Sequence, residues 1–208
     1  MIRKPTKIDY LALFSLGALW GSSFGAIKIA LIGVSPLTVM SVRILIAGVT
    51  LLILALIRKS NFPSGQNVWK KIFWMSLLGT IMPFYLVPWG QQEINSSLAS
   101  ILLAINPLFA LILGHFFSKN EIFSLRKFIS IIIGFSGVLM IFGENAFSSI
   151  NRNIFSQLAV IFAGVGYTVS GAIAASIKGV SADSVCASIF VVASLIICPI
   201  WLFIEQPW

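Results

Sequence analysis

The sequence predicts an all-α integral membrane protein. Of its 208 residues, 58% are hydrophobic and 10% are charged, and the mean hydropathy is +1.01, whereas a soluble domain carries about 25% charged residues. Apolar stretches of roughly 20 residues recur between short basic or Gly-, Pro- and Asn-rich breaks, and a helix needs about 20 apolar residues to cross a bilayer. These observations exclude a soluble domain, and stretches this long do not resemble the short alternating strands of a barrel.

Seven segments are predicted to span the membrane. The first follows basic residues, as a signal peptide does, but at about 24 residues it is too long for one and is read as a retained span. Several spans lack an amphipathic stripe, as expected of helices placed between lipid and other helices. The predicted spans are Ile8–Ile32, Pro36–Ile57, Trp69–Gly90, Asn95–Phe117, Leu125–Phe142, Phe155–Ile177 and Asp183–Ile204.

Basic residues collect in alternate connections, which predicts the orientation. If the N-terminus is cytoplasmic, the opposite side holds only Arg152, beside Glu93, Glu144 and Glu205. The positive-inside rule therefore favours a multi-pass protein of the inner (plasma) membrane with a cytoplasmic N-terminus. The bilayer, rather than nucleic acid, accounts for the net charge of +8. The basic residues on the predicted cytoplasmic side are Arg3, Lys4, Lys7, Arg58, Lys59, Lys70, Lys71, Lys119, Arg126, Lys127 and Lys178.

The segments beginning at Leu11 and Leu158 resemble each other. A repeat of this period would contain five spans, and an odd number of spans inverts the second copy in the membrane. Inverted repeats place substrate sites near the midplane between the copies. A chance match between two apolar helices is the alternative. The matched pairs are Gly17 with Gly164, Trp20 with Tyr167, and Ser23 with Ser170.

Several motifs, in order and spacing, resemble an EamA-type domain of the drug/metabolite transporter superfamily. The resemblance covers residues 8–143 as a first five-helix repeat, and residues 155–208 resemble the first two helices of a second, incomplete repeat. The motifs are Trp20-Gly21-Ser22-Ser23-Phe24, Ile27-Lys28, Ser35-Pro36-Leu37-Thr38, Arg43, Ser97-Leu98-Ala99-Ser100 and Asn106-Pro107-Leu108-Phe109-Ala110.

This resemblance implies ten helices in two inverted five-helix repeats, of which the chain contains about seven helices. It also implies a secondary transporter that exports amino acids or related small metabolites by alternating access around a midplane cavity. The sequence stops at Trp208, so an incomplete chain is expected. The alternatives are a truncated non-transporting remnant or assembly subunit, and a seven-span membrane protein without transport function. A homodimer is expected if the chain is naturally this short.

Polar and aromatic residues inside the spans are candidates for substrate binding or cavity lining. Lys28 and Arg43 are cations within spans, where charge is costly unless it faces a cavity, a partner or the interface. They could attract a carboxylate or phosphate, pair with Glu93, or snorkel to the headgroups. For Trp20 and Ser23 the alternative is an aromatic ring packed between helices and a hydroxyl bonded to its own backbone. The candidates are Trp20, Ser23, Lys28, Arg43, Tyr85, Gln91, Asn106, Tyr167 and Ser170.

The remaining motifs have structural interpretations. Gly17, Gly21 and Gly25 form a small-residue ridge expected to pack against another helix. Tyr85 and Gln91 lie near Pro83 and Pro88, where an interfacial aromatic belt is the alternative reading. No carboxylate lies deep in a span, and no phosphate loop, metal-ligand set or Ser/His/Asp arrangement occurs, so neither an enzyme nor a cofactor or metal is expected.

Overall fold

The computed structural model describes residues 5–117, 124–147 and 153–206. The predicted positions Arg3, Lys4, Lys119, Arg152 and Trp208 lie outside these ranges. All regular structure in the described part is helical: α1 (Lys7–Ala30), α2 (Pro36–Ile57), α3 (Gln66–Ser76), a π-helical turn (Leu77–Ile81), α4 (Met82–Gln91), α5 (Ser96–Leu103), α6 (Asn106–Phe117), α7 (Leu125–Phe147), α8 (Ile154–Ala175) and α9 (Ala182–Glu205).

These helices confirm the predicted class of fold. Helices α3 and α4, joined by the π-helical turn, form one span (Gln66–Gln91), and α5 and α6 form another (Ser96–Gly114). Together with α1, α2, α8 and α9 they give six segments long and apolar enough to cross a membrane among the described residues. Helix α7 has 23 residues and begins where the predicted fifth span begins. The predicted seven helical segments are therefore all present.

Two helix irregularities occur in the middle of spans. The π-helical turn Leu77–Ile81 precedes Pro83, whose ring has no N–H to donate and would clash with the carbonyl four residues earlier in a regular helix. The fourth span is interrupted between Leu103 and Asn106, beside the proline at position 107. Both irregularities face the cavity described below.

Helices α2 and α9 pack antiparallel along much of their length. Met40 and Ile44 of α2 are buried against Ala193 and Ile197 of α9. Gly48 permits the close approach, because a Cβ there would lie 2.9 Å from the Ser194 Oγ. Such small-residue contacts are a main source of helix association in lipid, where burial of apolar surface gives no advantage.

Helix α8 is the centre of the molecule, whereas α1 is peripheral. Helix α8 packs against α3, the π turn, α4, α5 and α6, and it buries six residues, among them Val160, Ala163 and Gly164. Helix α1 contacts mainly α4 and α5, and Ile27 is its only buried residue in the described chain. The two helices of the predicted repeat therefore have very different surroundings.

Contacts between helix ends divide the molecule into two faces. On the face where α1 begins, called here the N-terminal face, Arg58 donates to Asp183 at 2.8 Å. On the opposite face, Ser35 donates to Glu205 at 2.6 Å. The described basic residues Lys59, Lys70, Lys71, Arg126, Lys127 and Lys178 all lie at helix ends or connections of the N-terminal face. That this face is cytoplasmic stays a prediction.

Candidate functional site

A cavity of about 570 Å³ lies between α1, α2, the π-helical turn, α4, α5, α6, α8 and α9. This volume is within the range of small-molecule sites, which is about 300–1,000 Å³. Six of the nine candidate residues line this one cavity, although they come from four helices: Trp20, Ser23, Arg43, Asn106, Tyr167 and Ser170.

The matched residues of the predicted repeat meet in this cavity. Trp20 and Ser23 enter from α1, and Tyr167 and Ser170 enter from α8. The Ser23 hydroxyl donates to the Trp20 carbonyl at 2.7 Å, which is the backbone bond expected of a helical serine. The hydroxyl oxygen keeps lone pairs that can accept a further hydrogen bond, so the backbone bond does not prevent a contact with a solute.

Arg43 brings a positive charge to the cavity wall. Its guanidinium carbon lies 4.4 Å from the centre of the Phe84 ring, a distance at which the negative face of the ring attracts the cation. Neither Arg43 nor Lys28 forms an ion pair with Glu93 within the described residues, so the predicted pairing with Glu93 is wrong there. Arg43 thus faces the cavity without a carboxylate among those residues.

Asn106 lies immediately after the interruption of the fourth span. Its Oδ1 atom is buried and has no hydrogen-bond partner among the described groups. The same atom packs against Gly164 so closely that a Cβ added to Gly164 would overlap it. A buried amide oxygen without a donor is unfavourable, so Asn106 places an unsatisfied acceptor in the wall of the cavity, against α8.

Lys28 and Gln91 lie beyond the cavity, at the opposite face, where they join α1 to the connection between α4 and α5. The Lys28 ammonium donates to the Gln91 carbonyl, to the Ile94 carbonyl at 3.1 Å and to the Gln92 carbonyl at 3.4 Å. The Gln91 side-chain amide donates to the Phe24 carbonyl at 3.0 Å. These bonds form a latch that holds α1 against α4.

Apolar packing below the latch closes the cavity on this side. Ile27 of α1, Val39 of α2, Val87 of α4 and Ala163 of α8 form one buried cluster. On the other side, a second cavity of about 700 Å³ shares Trp20, Asn106 and Tyr167 with the first and continues past Gly114 to Ser176. The central cavity therefore extends toward the N-terminal face and is closed toward the opposite face.

The structure does not bring the remaining candidates to the cavity. Tyr85 is 38% exposed on the outer surface of α4. Nothing in the described residues lies within 4 Å of a Cβ built on Gly17, Gly21 or Gly25. The predicted packing of this glycine ridge against another helix is thus not seen in the part of the chain that is described.

Sequence reasoning missed several lining residues. The π-helical turn turns Thr80 toward the cavity, and no pattern in the sequence indicates that turn except the proline three residues later. Ser100 is a hydroxyl residue in mid-span, a signal as strong as Ser170, but it has no repeat partner among the candidates. The missed lining residues with polar or aromatic side chains are Thr80, Phe84, Ser100, Cys186 and Phe190.

This geometry defines a multi-span helical membrane protein with a solute-sized cavity closed toward one face. Residues 7–143 match the EamA-like transporter family, and the chain belongs to that family. The match has nearly the same extent as the resemblance over residues 8–143, and the division of the chain into a complete and an incomplete repeat stays a prediction. No solved structure matches the chain.

Curated relatives are named as transporters. The chain is 26% identical over 160 residues to the uncharacterized transporter YoaV of Bacillus subtilis, a match that covers 77% of this chain and 54% of YoaV. It is 35% identical over 127 residues to an uncharacterized transporter of Buchnera aphidicola subsp. Schizaphis graminum, covering 58% and 41% of the two chains. It is 26% identical over 158 residues to the uncharacterized inner membrane transporter YedA of Escherichia coli, covering 75% and 49%. The chain thus spans about half the length of the curated relatives it matches.

Proposed function

We propose that this chain forms the substrate-carrying part of a secondary transporter that exports amino acids or related small metabolites. One observation carries the proposal: repeat-matched residues of α1 and α8, Trp20 with Tyr167 and Ser23 with Ser170, line one cavity. This is where an inverted-repeat transporter places its substrate. Alternating access then consists of closing the path to the N-terminal face and opening the latch at Lys28.

The different surroundings of α1 and α8 support the same reading. Gly164 of α8 packs against Asn106 in the fourth span of the first repeat. In an inverted repeat, the fourth span of a second unit would contact α1 at Gly17 in the same way. The exposed glycine ridge of α1 is the surface that such a contact would use. A non-transporting remnant or assembly subunit remains the competing function, because this ridge is uncovered by described residues.

The proposal is tested by efflux from bacterial cells that produce the protein. Cells are loaded with a panel of labelled amino acids and related metabolites, and the rate at which each solute leaves is compared with that of cells carrying an empty vector. We expect faster efflux of at least one solute at matched loading. Equal efflux of every solute, from cells in which the protein is found in the membrane fraction, would contradict transport and favour the remnant.

We further propose that the protein lies in the inner membrane with its N-terminus in the cytoplasm. The positive-inside rule supports the orientation, and the description of YedA as an inner membrane transporter supports the location. Val34 and Lys59 are exposed residues in connections at opposite faces. In a background without Cys186 and Cys198, a membrane-impermeant thiol reagent added to intact cells should label Val34→Cys and not Lys59→Cys. The reverse labelling would invert the orientation.

A further inference from the structure

The cavity wall carries a cation whose charge nothing in the described chain balances. Arg43 lines the cavity in the second span, and the Phe84 ring below it supplies only a weak, uncharged attraction. Three described carboxylates form side-chain hydrogen bonds at helix ends: Asp9 with Thr6, Asp183 with Arg58, and Glu205 with Ser35. None of them reaches Arg43.

A cation held inside a membrane protein is stabilised by water, by a carboxylate, by backbone carbonyls or by a bound anion, and Arg43 has neither a carboxylate nor a carbonyl bonded to it among the described residues. The cavity that Arg43 lines holds no carboxylate among the described residues: Trp20, Phe84, Tyr167 and Phe190 supply aromatic surface, and Thr80, Ser100 and Asn106 supply neutral polar groups. This combination suits a small molecule with one negative group and an apolar or aromatic body.

We infer that Arg43 is the anion-binding group of the cavity and that the cavity selects small organic carboxylates over neutral and cationic analogues of the same shape. The inference rests on the proposed function and narrows its substrate class. Arg43 binds the carboxylate, and the aromatic walls hold the body of the solute. The arginine comes from the first repeat alone: Gly33-Val34-Ser35 matches Gly179-Val180-Ser181 after a one-residue gap, so the position in α9 that matches Arg43 is Ile189, which lines the same cavity.

Cys186 provides a reporter inside the cavity. It lines the cavity in α9 and carries a free thiol, and Cys198→Ser leaves it as the single cysteine of the 208-residue chain. The protein in lipid nanodiscs is treated with methyl methanethiosulfonate, a small neutral reagent, and the rate of Cys186 modification is followed by mass spectrometry. The competitors are 3-phenylpropionate and 3-phenylpropionamide, which share one body and differ in charge.

We expect 3-phenylpropionate to protect Cys186 at concentrations about tenfold lower than the amide does, as one charge-assisted hydrogen bond would give. Arg43→Gln should abolish this difference, and Arg43→Lys should retain part of it. Arg126→Gln removes an equal charge from the N-terminal end of α7 and should leave the preference unchanged. The comparison of the two competitors on the unmodified Arg43 protein does not depend on any arginine variant folding.

Equal protection by the two competitors, no protection by either, or a preference that persists in Arg43→Gln would overturn the inference. Efflux of an amino acid together with equal protection would leave the proposed function intact and remove only the anion selectivity. A Cys186 thiol that reacts in the denatured protein but never in the nanodiscs would show that small solutes do not enter the cavity and would overturn the inference, while the efflux assay still tests transport on its own.

Discussion

Among single substitutions outside the buried core, loss of the Lys28 latch should lower the thermal stability of the protein most. In Lys28→Met the side chain keeps its length and apolar stem but loses the ammonium that binds the carbonyls of Gln91, Gln92 and Ile94. Those carbonyls end α4 and begin the connection to α5, so they have few other donors.

The size of the effect follows from the exposure of the three bonds. The bonds to Gln91 and Ile94 are partly buried, and the bond to Gln92 is exposed. Hydrogen bonds to charged groups contribute about 1.5–3 kcal/mol each, and exposed ones much less. The two partly buried bonds share one ammonium, so their contributions do not simply add. We expect Lys28→Met to lower the free energy of unfolding by about 2–4 kcal/mol, which corresponds to a Tm decrease of about 4–16 °C for a chain of this size.

The assay is thermal unfolding of the detergent-solubilised protein, followed by the loss of the monodisperse peak in size-exclusion chromatography. Hydrogen exchange should also increase in α1, since α1 has only Ile27 as a buried anchor. Lys59→Met is the matched control, because Lys59 lies at an exposed helix end. Equal Tm values for the two variants would refute the reasoning that Lys28 holds α1 in place.

Two further results follow from the packing and the surface charge. Gly166→Ala should destabilise the protein by about 1–3 kcal/mol, because the added Cβ would overlap the Leu78 carbonyl. Gly171→Ala in the same helix is the control: its Cβ has no described atom within 4 Å, so it should be neutral or slightly stabilising. The measurement is the Tm of each variant. Asp183→Asn should lower Tm only slightly, and less at high salt, because Arg58 and Asp183 form an exposed pair that salt screens. The bond to Asp183 raises the pKa of Arg58 further above its ordinary value, so the contribution of Arg58 would be lost only at a pH above that raised pKa, and a decrease in Tm between pH 6 and 9 assigned to Arg58 would contradict this.

The sequence predicts the helices well because each span appears as an apolar stretch of about 20 residues. The α2 span matches its predicted bounds, Pro36–Ile57, since a serine N-cap before a proline marks its start. The cavity was only partly predictable. Trp20 and Tyr167 were found through the repeat, but Phe84 and Phe190 are apolar residues like many others, and only their contact across α4 and α9 distinguishes them.

Lys28 shows why residue type alone could not assign a role. A lysine near the end of a span is equally consistent with a cavity, with snorkelling and with an ion pair. The structure shows a fourth arrangement, in which the ammonium binds the carbonyl end of another helix. That arrangement depends on the connection between α4 and α5 approaching α1, which no local pattern encodes.

The most direct test of the transport account uses two adjacent serines of α1. Ser22 and Ser23 each donate to the carbonyl three residues earlier, but Ser23 lines the cavity and Ser22 is exposed on the surface of α1. Efflux of a solute exported by the unmodified protein is measured for Ser23→Trp and Ser22→Trp at equal amounts in the membrane. The account predicts that Ser23→Trp fills the cavity and abolishes efflux while Ser22→Trp retains it; equal efflux by both variants would contradict transport through this cavity.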